Sequence, residues 1–446
     1  MKPVDLRIEN AMVLTMDNKR SIIENACVDI SGDSFVNICT MDDISPRPEA
    51  TKTLNAEGKL LMPGFINCHT HAAMTLFRSF ADDMPLKTWL EDYIWPAEAA
   101  FVNGPNVQIS TRLAIAEMIE SGTTMFADMY FFEDEVALEC EKAGIRVMLG
   151  EAILDFPTPN MKNPTDGLKY TLFLAEKWKN HPLVKVSVAS HSIYACSEDL
   201  LHEINKFSRK HHLDIQMHLA ETHTEIQKIK EEKGMSAAQY VHAIGMFDQR
   251  LIASHMIHLT EDEKQLSIQN GVRIAHNPQS NLKLASGFID THFFIRPEVC
   301  IGFGTDGAAS NNDLNIAAEI QTTAFLGKHL QQDSSACKAA ELIEMATIKA
   351  ARVLGVDSFT GSIEVGKKAD FILINLNKSH LSPLYNIYSH LVYSLCRSDI
   401  ESVMVNGRML MHDRVLLNMD AQNTRENIKM ISTEISKKFT HFNHGH

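Results

Sequence analysis

The sequence predicts an α/β protein: a (β/α)8 barrel of the TIM type, with a small β-sandwich domain formed from both termini. Three observations carry that expectation. First, eight short apolar runs each close on a polar residue able to bind a metal or move a proton. In order they are LLMPGFI before His69 and His71, TTMFA before Asp128, RVMLG before Glu151, VKVSVAS before His191, DIQM before His218, LIAS before His255, VRIA before His276 and CIGFGT before Asp306. Second, the intervening segments are mostly long enough for a helix, and strands alternating with helical patterns indicate βαβ units and a parallel sheet. Third, alternating strand-and-turn texture is confined to the two ends of the chain.

Taken along the chain, residues 1–60 read as strands and turns (VDLRIENAMVLTM, NACVDISG, DSFVNICT) and form the N-terminal part of the small domain. Residues 61–362 form the barrel, and residues 363–422, with SIEVGKKADFILINL and IESVMVNGRMLM, return to the small domain. Neither end alone has enough strands to bury a sheet face, so the two are expected to pair. From 423 to 446 a polar helix leads into the tail HFNHGH. Within the barrel, NVQISTRLAIAEMIESG and EDEVALECEKAG stop at Gly122 and Gly144, residues suited to a helix C-terminus. Further helices are expected over SEDLLHEINKFSRKH, TEDEKQLSIQNG and NDLNIAAEIQTTAFLGKHL. No internal repeat is visible.

Composition narrows the function. At 45% hydrophobic and 22% charged residues, the chain resembles an ordinary soluble globular protein, with no apolar tract of about 18 residues to span a membrane. A formal charge of −14 without clustered Lys or Arg excludes a nucleic-acid surface and favours a small-molecule substrate. The start, MKPVDLRIENAMVL, alternates like a strand and lacks the basic start and apolar core of a signal peptide, so a cytoplasmic location is expected. Eight cysteines are scattered without any CxxC, which indicates reduced, mostly buried residues rather than a zinc knuckle or a disulfide framework.

His69 and His71 sit two apart at a strand end, and the two-residue period of a strand points both imidazoles to one face. An HxH pair is weak evidence by itself: 21 histidines yield about one by chance, and the tail holds another in His444 and His446. Convergence strengthens the case, because His218 and Asp306 end strands on the same inferred rim. Three imidazoles and a carboxylate suit one divalent ion, Zn2+ first, with Fe2+ or Mn2+ as alternatives. The fourth strand ends in histidine rather than a bridging lysine, and Lys185 lies at the wrong end, so a two-metal centre is not expected.

Such an ion supplies hydroxide at neutral pH, and hydrolysis then needs proton carriers beside it. Glu221, three residues past His218, is the expected general acid. His255 is placed to orient water or stabilise developing charge, and Asp306 to accept a proton. His191 is a substrate-contact candidate, with a structural role as the alternative. His258 and His276 receive no catalytic role.

PGFINCHTH, HLAETH, AHNPQSNLKLASG and GTDGAASNNDLN resemble motifs of the amidohydrolase superfamily. Together with DDMPLKTWLEDYIWPAE and GSIEVGKKADFILI they resemble most closely the 5'-methylthioadenosine/S-adenosylhomocysteine deaminases, over nearly the whole chain. The resemblance implies zinc on His69, His71, His218 and Asp306, and a proton shuttled to the purine by Glu221. It also implies that Glu98 contacts the ribose hydroxyls, which a carboxylate can do by accepting two hydrogen bonds, and that His191 contacts the nucleoside. Homo-oligomers are common among such relatives. One departure stands out: many relatives carry arginine in or just after the third strand, where this chain has RVMLGEAILDFPTPN, with Glu151 and only Lys162 nearby.

The expected activity is therefore metal-dependent hydrolytic deamination of an adenosine-type nucleoside, with ammonia released and the inosine analogue formed. Attack falls at C6 and Glu221 protonates N1. The alternative is a deaminase or dechlorinase of another N-heterocycle such as guanine, cytosine or a triazine, since related enzymes share the scaffold. A barrel that has lost its metal is disfavoured because all four ligands are present.

Overall fold

The computed structural model describes residues 2–439, so the tail HFNHGH and its His444–His446 pair lie outside the described residues. Eight parallel strands follow the apolar runs: β1 (Phe65–Thr70), β2 (Thr123–Tyr130), β3 (Arg146–Ile153), β4 (Val188–Ser192), β5 (Ile215–Leu219), β6 (Leu251–His255), β7 (Arg273–His276) and β8 (Ile301–Phe303). They pair in sequence order from β1 to β8. Almost every residue in them is buried on both faces, as expected for a parallel sheet covered by crossover helices.

The ends of this sheet meet through Asn67 of β1. Its side-chain oxygen accepts from Thr305 N at 3.1 Å and its amide donates to Thr305 Oγ1 at 2.7 Å, just past β8. Asp306 N donates to His69 O at 3.0 Å, bringing two candidate ligands to the same seam. VKVSVAS is interrupted at Ser187, whose N–H and hydroxyl both bond Leu149 O, at 2.8 and 2.9 Å. Val184–Val186 and β4 therefore pair in succession with β3.

The helices start and stop where side chains satisfy their free backbone groups. Asn103 caps Gly104–Glu120 by accepting from Asn106 N at 3.1 Å. Glu133–Ala143 ends as Gly144, at φ +89°, donates to Cys140 O at 2.8 Å. Thr260 and Glu263 form a reciprocal capping box at the start of Glu261–Gln269.

The two ends of the chain build a second, mixed nine-stranded sheet. Lys59–Pro63 is its junction, parallel to Val4–Leu14 and antiparallel to Phe371–Asn375. The first apolar run of the barrel is thus split at Gly64, each half serving a different sheet. The small sheet curls over its own core of Ile8, Val28, Phe35, Leu61, Phe371 and Leu373. Phe35 and Phe371 lie 6.4 Å apart across that core, so the expected sandwich is one continuous sheet folded back on itself. The eight cysteines form no disulfide. Among the described residues, no helix is long and apolar enough to cross a membrane.

Candidate active site

The expected ligands converge at the C-terminal rim. His69 is in β1 and His71 directly follows it, His218 is in β5, and Asp306 lies three residues past β8. His218 Nε2 is 3.2 Å from His69 Nε2 and 3.3 Å from His71 Nε2, while Asp306 Oδ1 is 3.2 Å from His71 Nε2 and 3.6 Å from His69 Nε2. Donors bound tetrahedrally at about 2.0–2.1 Å from a zinc-sized ion lie about 3.3 Å apart, so the spacing fits one ion.

Backbone carbonyls decide which ring nitrogens face inward. His218 Nδ1 donates to His191 O at 2.8 Å, and His71 Nδ1 donates to Met129 O. The two Nε2 atoms are thereby turned toward each other, 3.3 Å apart. The environment keeps His69 and His218 neutral and Asp306 charged. Burial lowers His69 to about 4 and holds His218 well below the usual histidine range. For His71, burial is outweighed by the hydrogen bond and charge of Asp306, which raise it to about 9. Burial alone would raise Asp306, but hydrogen bonds from His69 and His71 hold it well below the usual carboxylate range. These four side chains can hold one divalent cation.

The other expected residues surround this cluster. His255 Nδ1 donates to Asn281 Oδ1 at 2.7 Å, leaving Nε2 3.8 Å from Glu221 Oε2. With His69 and His218 it forms a second, overlapping set of nitrogen donors. Glu221 is 5% exposed, and burial raises its pKa despite His255. Burial lowers His191 to about 3, which keeps its ring neutral beside His218, at 4.8 Å between centroids. Glu98 accepts the Tyr130 hydroxyl at 2.6 Å, and burial pushes it up to about 7. All of them border one cavity of about 520 Å³.

The polar residues given no catalytic role lie elsewhere. His258 bonds Ser286 O and stacks on His223, while His276 is buried between Phe288 and Phe303. Lys185 pairs with Asp214 at 2.8 Å at the opposite end of the barrel. Glu151 does not enter the cavity; it accepts from Asn160 Nδ2 at 2.8 Å and from Glu133 N at 3.1 Å.

Three supports escaped the sequence reading. Glu225 accepts from the N–H groups of Ala220 and Glu221, both at 2.9 Å, and thereby orients Glu221. Ser280 donates to Asp306 Oδ2 at 2.6 Å, and Asn281 fixes the His255 ring. The last two stand inside AHNPQSNLKLASG, whose density of amides and hydroxyls was the available signal.

Barrel and rim together define a metal-binding barrel of the hydrolase class. A model of the amidohydrolase family matches residues 60–410, and the chain belongs to that family. It is 41% identical to a 5-methylthioadenosine/S-adenosylhomocysteine deaminase 1 of Syntrophus aciditrophicus, over 98% of each chain. It is 37% identical to a 5'-deoxyadenosine deaminase of Methanococcoides burtonii, over 97% of this chain and 98% of that one. The crystal structure of an adenosine deaminase from Xanthomonas campestris with bound zinc matches with a TM-score of 0.96 at 34% identity, covering 98% of this chain and 99% of the other.

Proposed function

We propose that this protein is a metal-dependent aminohydrolase that converts adenosine-type nucleosides, including 5'-methylthioadenosine, S-adenosylhomocysteine and adenosine, to the inosine analogue and ammonia. The observation that carries the reading is the meeting of His69, His71, His218 and Asp306 with buried Glu221 at one end of the cavity bordered by Glu98. Relatives named for such substrates, similar along nearly the whole chain, support it. The division into a barrel over 61–362, a small β unit from 1–60 and 363–422, and a closing segment 423–446 belongs to the same proposal. Its support is the core that the small sheet encloses by itself, around Ile8, Val28, Leu61 and Phe371, while its other face, with Leu60, Met62, Ile372 and Val403, packs into the core of the barrel.

His69, His71, His218 and Asp306 hold the ion, zinc first because a zinc-bound relative shares the fold, with Fe2+ or Mn2+ as alternatives for this donor set. Bound there, a divalent ion supplies the Lewis acidity that brings the ionisation of water toward neutral pH. Glu221, whose pKa is raised by burial, donates a proton to N1 of the purine as water adds at C6. Asp306 accepts a proton from the attacking water, and His255 hydrogen-bonds the incoming oxygen. The C6–N bond then breaks as the proton held by Asp306 passes to the amino group, which leaves as ammonia, and the C6 hydroxyl returns its proton to Glu221 as the carbonyl forms. Glu98 accepts hydrogen bonds from the ribose hydroxyls, and neutral His191 bonds the base without adding charge.

Glu221→Gln tests this directly. Metal content should stay at the wild-type level while ammonia release falls by about 10²–10⁴-fold, the usual contribution of a positioned acid. Full turnover in that variant removes Glu221 from the reaction. Across a panel of nucleosides, guanine, cytosine and a chlorotriazine, the proposal requires ribosides to be the better substrates, and a preference for a free base overturns it.

A further inference from the structure

The relatives named above differ in what hangs from the 5' carbon: a methylthio group, a hydrogen, or a homocysteine bearing an ammonium and a carboxylate. Contacts trace the cavity away from the histidine cluster and past Glu98. The His71 ring is 6.3 Å from Tyr130, whose hydroxyl bonds Glu98 at 2.6 Å. Trp95 lies three residues before Glu98, on the same face of helix Trp95–Phe101, and packs on Phe156 at 5.5 Å. Leu86, Leu90, Pro157 and Pro159 complete this wall.

No lysine or arginine lines the cavity among the described residues. The wall also offers few backbone donors. Pro157 and Pro159 have no N–H, and the N–H of Thr158 is used by Met161 O at 2.8 Å. The loop is held in that form by Asn160 donating to buried Glu151, so the acidic residue of the third strand serves the loop and presents no charge to a ligand. Lys87 and Lys162, the cations on the neighbouring segments, are exposed to solvent, and Lys87 lies 4.0 Å from Glu91. A carboxylate brought against this wall would lose water without gaining a cation, whereas an alkylthio group would bury apolar surface.

Resting on the nucleoside deaminase reading above, we infer that Trp95 and Phe156 form an apolar 5' subsite that selects adenosines with small uncharged 5' substituents over those carrying an amino-acid carboxylate. The test compares kcat/KM for 5'-methylthioadenosine, 5'-deoxyadenosine and S-adenosylhomocysteine on the metal-loaded wild-type enzyme. 5'-Methylthioadenosine should exceed S-adenosylhomocysteine by about tenfold or more, the scale of pocket discrimination. A smaller ratio, or the reverse order, overturns the inference. Phe156→Arg, at a side chain already 40% exposed, adds the missing cation and should shift the ratio at least about fivefold toward S-adenosylhomocysteine. An unchanged ratio in a variant that still deaminates adenosine overturns the placement of the subsite, and if the variant does not fold the wild-type ratio decides. Failure of this inference is distinct from failure of the reaction itself: in the first case all three nucleosides release ammonia with similar efficiency, in the second none does.

Discussion

Single residues in this site are held by groups that do no chemistry themselves. His255 and Asp306 both adopt left-handed φ values, +75° and +63°, which non-glycine residues rarely occupy and which cluster at functional sites. Asp306 is kept there by its N–H to His69 O and by Gly307 N donating to its Oδ1 at 2.8 Å. Glu225 does the same for Glu221 by accepting two successive backbone N–H groups. Glu225→Gln replaces one acceptor with a donor and should let the turn at Ala220 and Glu221 shift. Metal content and KM should stay near wild type while kcat falls about 10–100-fold, as misplacement of a catalytic group by a fraction of an ångström predicts. Steady-state kinetics with metal analysis checks it, and an unaltered kcat would make Glu225 a purely structural acid. His69, His71, His218 and Asp306 were legible as strand-end polar residues. Glu225 was not: four residues past Glu221 on a charged helix, it reads as a solvated acid until the turn is seen to fold over it.

At the level of elements, the decisive contact is the seam between β1 and β8. Gly304 has no room for a side chain: an added Cβ would stand 2.2 Å from Asn277 Oδ1, 2.8 Å from His69 Cβ and 2.9 Å from His69 O. Gly304→Ala should therefore push β8 from β1 and spread His69 from Asp306. The expected result is a loss of about 1–3 kcal/mol in stability, the usual cost of overpacking, with weaker metal retention after dialysis. Denaturant unfolding and metal stoichiometry read the two effects, and wild-type values for both would show that the seam relaxes freely. The strands themselves were legible because buried parallel strands are continuous apolar runs bounded by turns. The split at Gly64 was not, since Leu60, Leu61 and Met62 are as apolar as Phe65 and Ile66, and only pairing partners distinguish the two sheets.

At the scale of the molecule, the small sheet is fastened to the barrel by a buried ion pair. Arg146, at the start of β3, places Nε 2.6 Å from Asp370 Oδ2 and Nη2 3.0 Å from Oδ1, with both side chains nearly inaccessible. Asp370 also accepts from Thr360 Oγ1 at 2.7 Å and Asn406 N at 2.6 Å. Arg146→Met should destabilise the chain by about 3–5 kcal/mol, because it leaves a buried carboxylate without its cation, and adding Asp370→Leu should recover part of that loss. Equilibrium unfolding of the single and double variants decides it; a single variant as stable as wild type would show that the pair does not couple the two sheets. The sequence by itself determined the strand order, the residues at strand ends and the pairing of the two termini, because apolar runs and their spacing are local properties that survive any arrangement of neighbours. Tertiary structure alone decided that His69, His71, His218 and Asp306, up to 237 residues apart, bring donor atoms into contacts of 3.2–3.6 Å, that Glu225 and Asn281 hold the turn of Glu221 and the ring of His255, and that no lysine or arginine lines the wall beyond Glu98 among the described residues. Those outcomes depend on barrel closure and on the path of loops, which place residues together through contacts that no local pattern records.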